Sequence, residues 1–161
     1  MSDPVLREPT IPVQQDELAY IKSLVPEMIE IMNKENGIGL AANQVGISKR
    51  FFIMKDGEVV KLMINPEVVK EEDFQPTEEG CLSIPGTSGP TMRFKNVTLK
   101  YLDENFVEIQ QEYKDLLATA VQHEIDHLDG ILYIDQILEV RRSIVLNKYY
   151  KFLRTRGRNK E

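Results

Sequence analysis

Both histidines of this chain fall in one five-residue stretch, His123-Glu124-Ile125-Asp126-His127. On a helix, residues advance about 100° each, so positions four apart stand one turn above each other. His123 and His127 can then address one metal ion through ring nitrogens. Glu124 projects to one side, where its carboxylate reaches an ion-bound water without being a ligand. That arrangement suits a metal-activated hydrolytic water with a carboxylate base. Two satisfied histidines on an ordinary helix would leave the same pattern. The surrounding helix is apolar through its first half, however, and buried imidazoles need partners. A catalytic site of this type takes three protein ligands and keeps one position open. With no third histidine, the third ligand must be a carboxylate or the single cysteine. Asp135 and Glu139 follow the helix and would complete a two-histidine, one-carboxylate site. Cys81 offers a soft thiolate beside Gly80, in a loop-like stretch that can bend toward an ion, although a lone cysteine is more often a buried small hydrophobe.

The element carrying the histidines is predicted over Asp115–Leu128, with Asp115 as N-cap and Gly130 as C-terminal stop. Leu116, Thr119 and Ala120 lie seven, four and three residues before His123 and share its face. They are candidates for the wall of an apolar substrate slot, with plain core packing the alternative for Leu116. Upstream, Leu18, Ile21, Leu24, Val25, Met28, Ile29 and Met32 follow helical periodicity, which predicts a helix over about 14–35 that Pro26 should kink or interrupt and Gly37 should end. Pro4, Pro9 and Pro12 make residues 1–13 an extended, turn-rich arm. The runs RFFIM and VVKLMI around Lys55-Asp56-Gly57 predict a hairpin, and strand-like segments near 93–101 and 106–113 flank a turn at Asp103-Glu104-Asn105. Glu71, Glu72 and Asp73 read as an exposed stretch, and residues 84–90, IPGTSGP, as a loop. A last helix over about 137–154 places Ile137, Leu138, Ile144, Val145, Tyr149, Phe152 and Leu153 on one face. Strands clustered between helices predict an α+β fold, with mainly antiparallel strands around the central histidine-bearing helix and helices at both ends.

At 161 residues, 42% hydrophobic and 29% charged, the chain suits one catalytic domain spanning 1–161. Apolar runs fall well short of a membrane span. No secretory or transit signal is visible, and one cysteine gives no intrachain disulfide, so the expected compartment is the cytoplasm. A net charge of −6 argues against a protein that coats nucleic acid and against specific DNA binding.

Three blocks must be read together. Gly37-Ile38-Gly39-Leu40-Ala41-Ala42-Asn43-Gln44-Val45-Gly46 resembles the GxGLAAxQ block of peptide deformylases. Glu79-Gly80-Cys81-Leu82-Ser83 resembles their EGCLS block, and Gln122-His123-Glu124-Ile125-Asp126-His127-Leu128 their QHExDHL block. Asp3-Pro4-Val5-Leu6-Arg7 and Ile64-Asn65-Pro66-Glu67 are similar to family features as well, so the resemblance covers nearly the whole chain. It implies removal of the N-formyl group from the initiator methionine of nascent polypeptides, with release of formate. It makes Cys81, His123 and His127 the ligands of one divalent ion, typically Fe²⁺, with Zn²⁺, Ni²⁺ or Co²⁺ able to substitute. It implies that Glu124 takes a proton from the metal-bound water that attacks the formyl carbon, and passes it to the departing amine. It makes the Gln44 side-chain amide and the Leu82 backbone N–H donors to the oxyanion, and gives Ile38 and Gly39 a role in holding the peptide backbone.

Some positions depart from the common pattern. Asn43 fills the variable slot of the first block and is expected to be without consequence. No arginine stands between Pro85 and Met92, so basic contacts to the peptide from that loop are not expected. Asp115 replaces a frequent glycine, and Thr119 brings a hydroxyl where a larger apolar residue is common. The basic segment 154–161 reads as a flexible tail. Together with the last helix it makes contact with the ribosome a hypothesis by resemblance. Two other readings compete: a small metallopeptidase using His123, His127 and Glu139, and an inactive relative that binds formyl-peptides or metal.

Overall fold

The computed structural model describes residues 3–158. Among these, α1 (Leu18–Lys34) is followed by β1 (Gly39–Ala41), β2 (Phe51–Asp56), β3 (Val59–Gly80), β4 (Ser88–Leu102), β5 (Glu108–Lys114), α2 (Asp115–Leu128) and α3 (Glu139–Arg158). The strands pair in chain order, each antiparallel to its neighbour. The expected α+β architecture is therefore present, as a five-stranded meander with helices on its faces.

Strand β2 explains the layering. Successive side chains of a strand point to opposite faces, and here both faces are covered. Phe51 and Ile53 join a core with Ile21, Met28 and Met32 of α1. Phe52 and Met54 join a second core with Ala118, Val121, Ile125 and Leu128 of α2. The unbroken apolar run RFFIM is the mark of a strand buried on both sides.

Helix α1 runs through Pro26 without interruption. Pro26 lies on the exposed face, so the Lys22 carbonyl that loses its intrahelical donor is open to water. The helix ends one residue earlier than Gly37 would have it. Asn36 takes the left-handed conformation (φ 54°), and Gly37 N–H bonds the Met32 carbonyl at 2.8 Å, a Schellman closure. At the start of α2 the Asp115 side chain does not act as a cap: Lys114 is the N-cap and Asp115 is the first helical residue. Its φ of 50° lies in the left-handed region. Aspartate tolerates that region better than most residues, so it can stand where a glycine would meet the same backbone demand. At the other end Gly130 (φ 75°) fits as expected, because a Cβ there would meet Arg7 backbone atoms at 2.7 Å.

The strands exceed the sequence expectation. Glu71, Glu72 and Asp73 are exposed, as expected, but lie within β3, and Ser88-Gly89-Pro90, expected in a loop, opens β4 opposite Gly80, Glu79 and Glu78. Strand β5 pairs only with Asn96–Leu102, so Pro90 sits where β4 is paired on one side alone, the setting in which a strand accepts proline. Helix α3 starts at Glu139 and keeps Arg154–Arg158 helical rather than as a loose tail; residues 159–161 lie outside the described residues. Ile137, Val145 and Tyr149 are buried as expected, whereas Leu138, Ile144 and Leu153 are exposed. Val145 and Tyr149 pack with Ile84, Leu132, Tyr133 and Ile137, so the apolar stripe is only partly covered.

Candidate active site

The β3–β4 hairpin and α2 meet face to face, and their contact builds the site. Cys81 follows the last residue of β3, and its Sγ lies 3.1 Å from His127 Nε2. His127 Nε2 is in turn 3.1 Å from His123 Nε2. The imidazole planes cross at 77°, edge toward face, so the two Nε2 lone pairs converge while the rings avoid stacking. One ligand atom from each of the three residues lies within 4.8 Å of the others. Asp135 and Glu139, the carboxylate alternatives, stay away from this cluster. Asp135 pairs with Arg7 and Arg142 and accepts the Leu132 N–H, and Glu139 is an exposed residue at the start of α3.

A thiolate and two imidazoles fit a divalent first-row ion, because soft and borderline donors favour such ions over magnesium or calcium. Held by these three donors, an ion would keep a fourth position for water or substrate. Burial, with His123 and Arg93 nearby, holds His127 well below the usual histidine range, in the neutral form that a ligand requires. Against the cost of burial, Cys81 and Glu79 hold His123 well above that range, and a cation would satisfy the same donors.

Behind His123 stands a buried polar network that sequence reasoning did not assign. His123 Nδ1 is 2.7 Å from Glu79 Oε2. Arg93 donates to Glu79 through Nε at 2.6 Å and Nη2 at 3.0 Å, and to Asp126 through Nη1 at 2.6 Å. The Thr91 hydroxyl donates to Glu79 Oε1. Although burial opposes ionisation, the bonds from His123 and Arg93 hold the Glu79 carboxyl far below its usual range. The only signal in the sequence was the presence of Glu79 and Asp126 inside two recognised blocks; the register Glu79↔Gly89 and Gln75↔Arg93 is what turns Arg93 inward. The absence of arginine before Met92 is thus matched by the engagement of Arg93 elsewhere.

In front of His123 lies a cavity of about 470 Å³. Ile38, Gly39, Gln44, Cys81, Leu82, Leu116, Thr119, Ala120, His123 and Glu124 all line it, so the sequence candidates other than His127 share one wall-to-wall space. Leu116 is 66% exposed at the rim, whereas Thr119 and Ala120 are buried. Gln75 Nε2 reaches the Thr119 hydroxyl at 3.4 Å, which keeps that polar group partnered. Gln44 is held in one orientation: its Oε1 accepts the Ala41 N–H at 2.9 Å, which turns Nε2 toward Ser83 Oγ (3.2 Å) and Cys81 Sγ (3.7 Å). Glu124 is buried and its Oε2 has no partner among the described residues. Burial pushes its carboxyl up to about 7. Gly39 makes room for it, since a Cβ there would lie 2.5 Å from Glu124 Oε1.

Residues 1–143 match the family of polypeptide deformylases. A peptide deformylase of Pseudothermotoga lettingae is 41% identical over 155 residues, covering 96% of this chain and 90% of that protein. The crystal structure of a peptide deformylase from Legionella pneumophila superposes with a TM-score of 0.91 at 34% identity, covering 98% of this chain and 95% of that one. A class I type b peptide deformylase from Acinetobacter baumannii, crystallised with Met-Ala-Ser bound, gives a TM-score of 0.80 at 33% identity, covering 85% of this chain and 94% of that one. With identity above 40% across almost the full length of a relative, and the thiolate, imidazoles and glutamate gathered at one cavity, this chain belongs to the polypeptide deformylase family.

Proposed function

We propose that the protein is a metal-dependent hydrolase that cleaves the formamide bond of N-formylmethionyl nascent peptides. Water oxygen joins the formyl carbon, the carbon–nitrogen bond breaks with its electron pair to nitrogen, and formate leaves from a peptide with a free amine. The observation that carries this reading is Glu124, buried at the cavity wall with its Oε2 unpartnered among the described residues, close to the cluster of Cys81, His123 and His127.

Cys81, His123 and His127 would hold the ion, which when bound supplies Lewis acidity toward the water and the formyl oxygen. Glu124 takes a proton from the attacking water and returns it to the departing nitrogen. A carboxyl poised at about 7 serves both directions near neutral pH. The Gln44 amide, fixed through Ala41, and the Leu82 backbone N–H donate to the oxygen on which charge develops. Ile38 and Gly39 hold the peptide backbone at the cavity edge, while Leu116, Thr119 and Ala120 wall the methionine slot.

Fe²⁺ is the native ion in this reading, with Zn²⁺, Ni²⁺ or Co²⁺ as substitutes that the same donors accept. The whole chain, 1–161, works as one catalytic domain in the cytoplasm. No described helix is long and apolar enough to cross a membrane. Arg141, Arg142, Lys148, Lys151, Arg154 and Arg156 make α3 basic on an acidic protein, which supports contact with ribosomal RNA near emerging chains.

Formate release from formyl-Met-Ala-Ser by anaerobically prepared, Fe²⁺-loaded protein tests the reaction. Anaerobic handling matters because a thiolate-ligated ferrous site is open to oxidation. Release from the wild type and none from Glu124→Ala with metal retained is the expected pair. A metal-loaded wild type that binds the peptide without releasing formate would leave only the binding-protein reading.

A further inference from the structure

Asn43, in the slot expected to be without consequence, is fully buried. It sits in a short 3₁₀ turn (Ala42–Val45) that follows β1, and its Nδ2 donates to the His127 backbone carbonyl at 2.5 Å and to the Val5 carbonyl at 3.4 Å. Its Oδ1 has no partner among the described residues, nor does Nδ1 of His127. The two orphaned atoms are complementary. A neutral imidazole that commits its Nε2 lone pair to an ion carries its proton on Nδ1, and that N–H must donate. His123 already shows the arrangement, with Nδ1 on Glu79. For His127 the acceptor must come from behind the ring, since Nε2 faces Cys81 and His123. Glu124, the other residue with an unpartnered buried oxygen, lines the cavity, whereas neither Asn43 nor His127 does.

We propose that Asn43 is a positioning residue for His127: its Nδ2 clamps the His127 carbonyl, and its Oδ1 accepts the His127 Nδ1–H when Nε2 binds a metal ion. The inference rests on Cys81, His123 and His127 being the ligands. The two ligand histidines then have different supports, a carboxylate for His123 and a carboxamide for His127. A neutral acceptor fixes the ring and its tautomer without adding a second negative charge beside Glu79 and the thiolate.

Zn²⁺-loaded wild type and Asn43→Leu, an apolar replacement of similar size, are compared by chelator competition and by the imidazole proton and nitrogen resonances of His127. The wild type should show a slowly exchanging Nδ1–H on His127. In Asn43→Leu that signal should shift or vanish, and Zn²⁺ affinity should fall by roughly 10–100-fold. Asn43→Asp, which keeps the acceptor and loses the clamp, should retain the Nδ1–H signal and covers the case in which the leucine variant does not fold. Lower stability of the metal-free leucine variant with unchanged Zn²⁺ affinity and unchanged His127 signals would make Asn43 merely structural and overturn the inference. So would an Nδ1–H signal that responds to Glu124→Ala instead, or a loaded wild type with no proton on Nδ1. A wild type that binds no Zn²⁺ at all would overturn the ligand assignment as well, so the two failures are separable, and neither readout depends on formate release.

Discussion

His123 divides two carboxylates with opposite fates. Behind the ring, Glu79 is gripped by Arg93, Thr91 and the imidazole itself and stays ionised far below its usual range. In front, the carboxyl of Glu124 is as deeply buried but has an unpartnered oxygen and is pushed up to about 7. Both are glutamates within reach of the same histidine, so side-chain chemistry does not separate them. Their partners do. A group whose charge is fully compensated cannot exchange a proton near neutral pH, and a group that is desolvated without compensation can. In the proposed reaction the rear carboxylate would orient His123, and the front one would move protons.

Breaking the front first gives the largest effect. Glu124→Ala should lower formate release by roughly 10³-fold, within the range for a lost general acid–base. Metal content measured on the same sample should stay stoichiometric, and a variant that loses the ion would assign Glu124 to the ligand set. Gly39→Ala sharpens the same point. The added methyl would sit 2.5 Å from Glu124 Oε1 and 2.8 Å from its Cδ and Cγ, so the buried carboxylate arm as a whole must move. A loss on the order of 10²-fold in kcat is expected, with a stability cost of roughly 1–3 kcal/mol from overpacking; full activity would mean that the exact seat of Glu124 is unimportant.

At the rear, Glu79→Gln should act on binding and stability rather than on proton transfer. Metal affinity, read by chelator competition, should fall by roughly 10–100-fold. Leaving Arg93 with one fewer carboxylate should cost roughly 3–5 kcal/mol in urea unfolding at neutral pH. Because the folded-state value of Glu79 is depressed, its stabilisation is complete above the unfolded value near 4.5 and fades as pH falls below it. The gap between wild type and Glu79→Gln should therefore narrow in acid; a gap constant down to pH 3 would contradict the ion-pair account. Asp126→Asn should have the smallest effect, about 1 kcal/mol, because Asp126 is partly exposed and Arg93 keeps both bonds to Glu79.

Much of this was legible beforehand, for reasons that differ by residue. The His123–Glu124–His127 geometry is local: helical periodicity alone puts the two imidazoles on one face and the glutamate beside them. The bounds of α2 and the strand nature of RFFIM follow from equally short patterns, whereas the burial of β2 on both faces was read only from the structure. Where local signals failed, a long-range contact had overruled them. Ser88-Gly89-Pro90 looked like loop and is strand because β3 pairs with it. The stripe over 137–154 looked amphipathic, yet Leu138, Ile144 and Leu153 are exposed because no element among the described residues covers them.

The sequence by itself determined the donors, their spacing on α2 and the class of chemistry, since those depend on residue type and on a helical repeat a few residues long. Spacing left Cys81, Asp135 and Glu139 open and the resemblance named Cys81; the tertiary structure places Cys81 beside the histidines, and it decided which glutamate is held ionised and what Asn43 touches. These depend on strand register and on which polar groups lose water together, and neither quantity is written in any short stretch of chain. Register is fixed by pairing along the whole β3–β4 hairpin, and desolvation is fixed only when α2 closes over it.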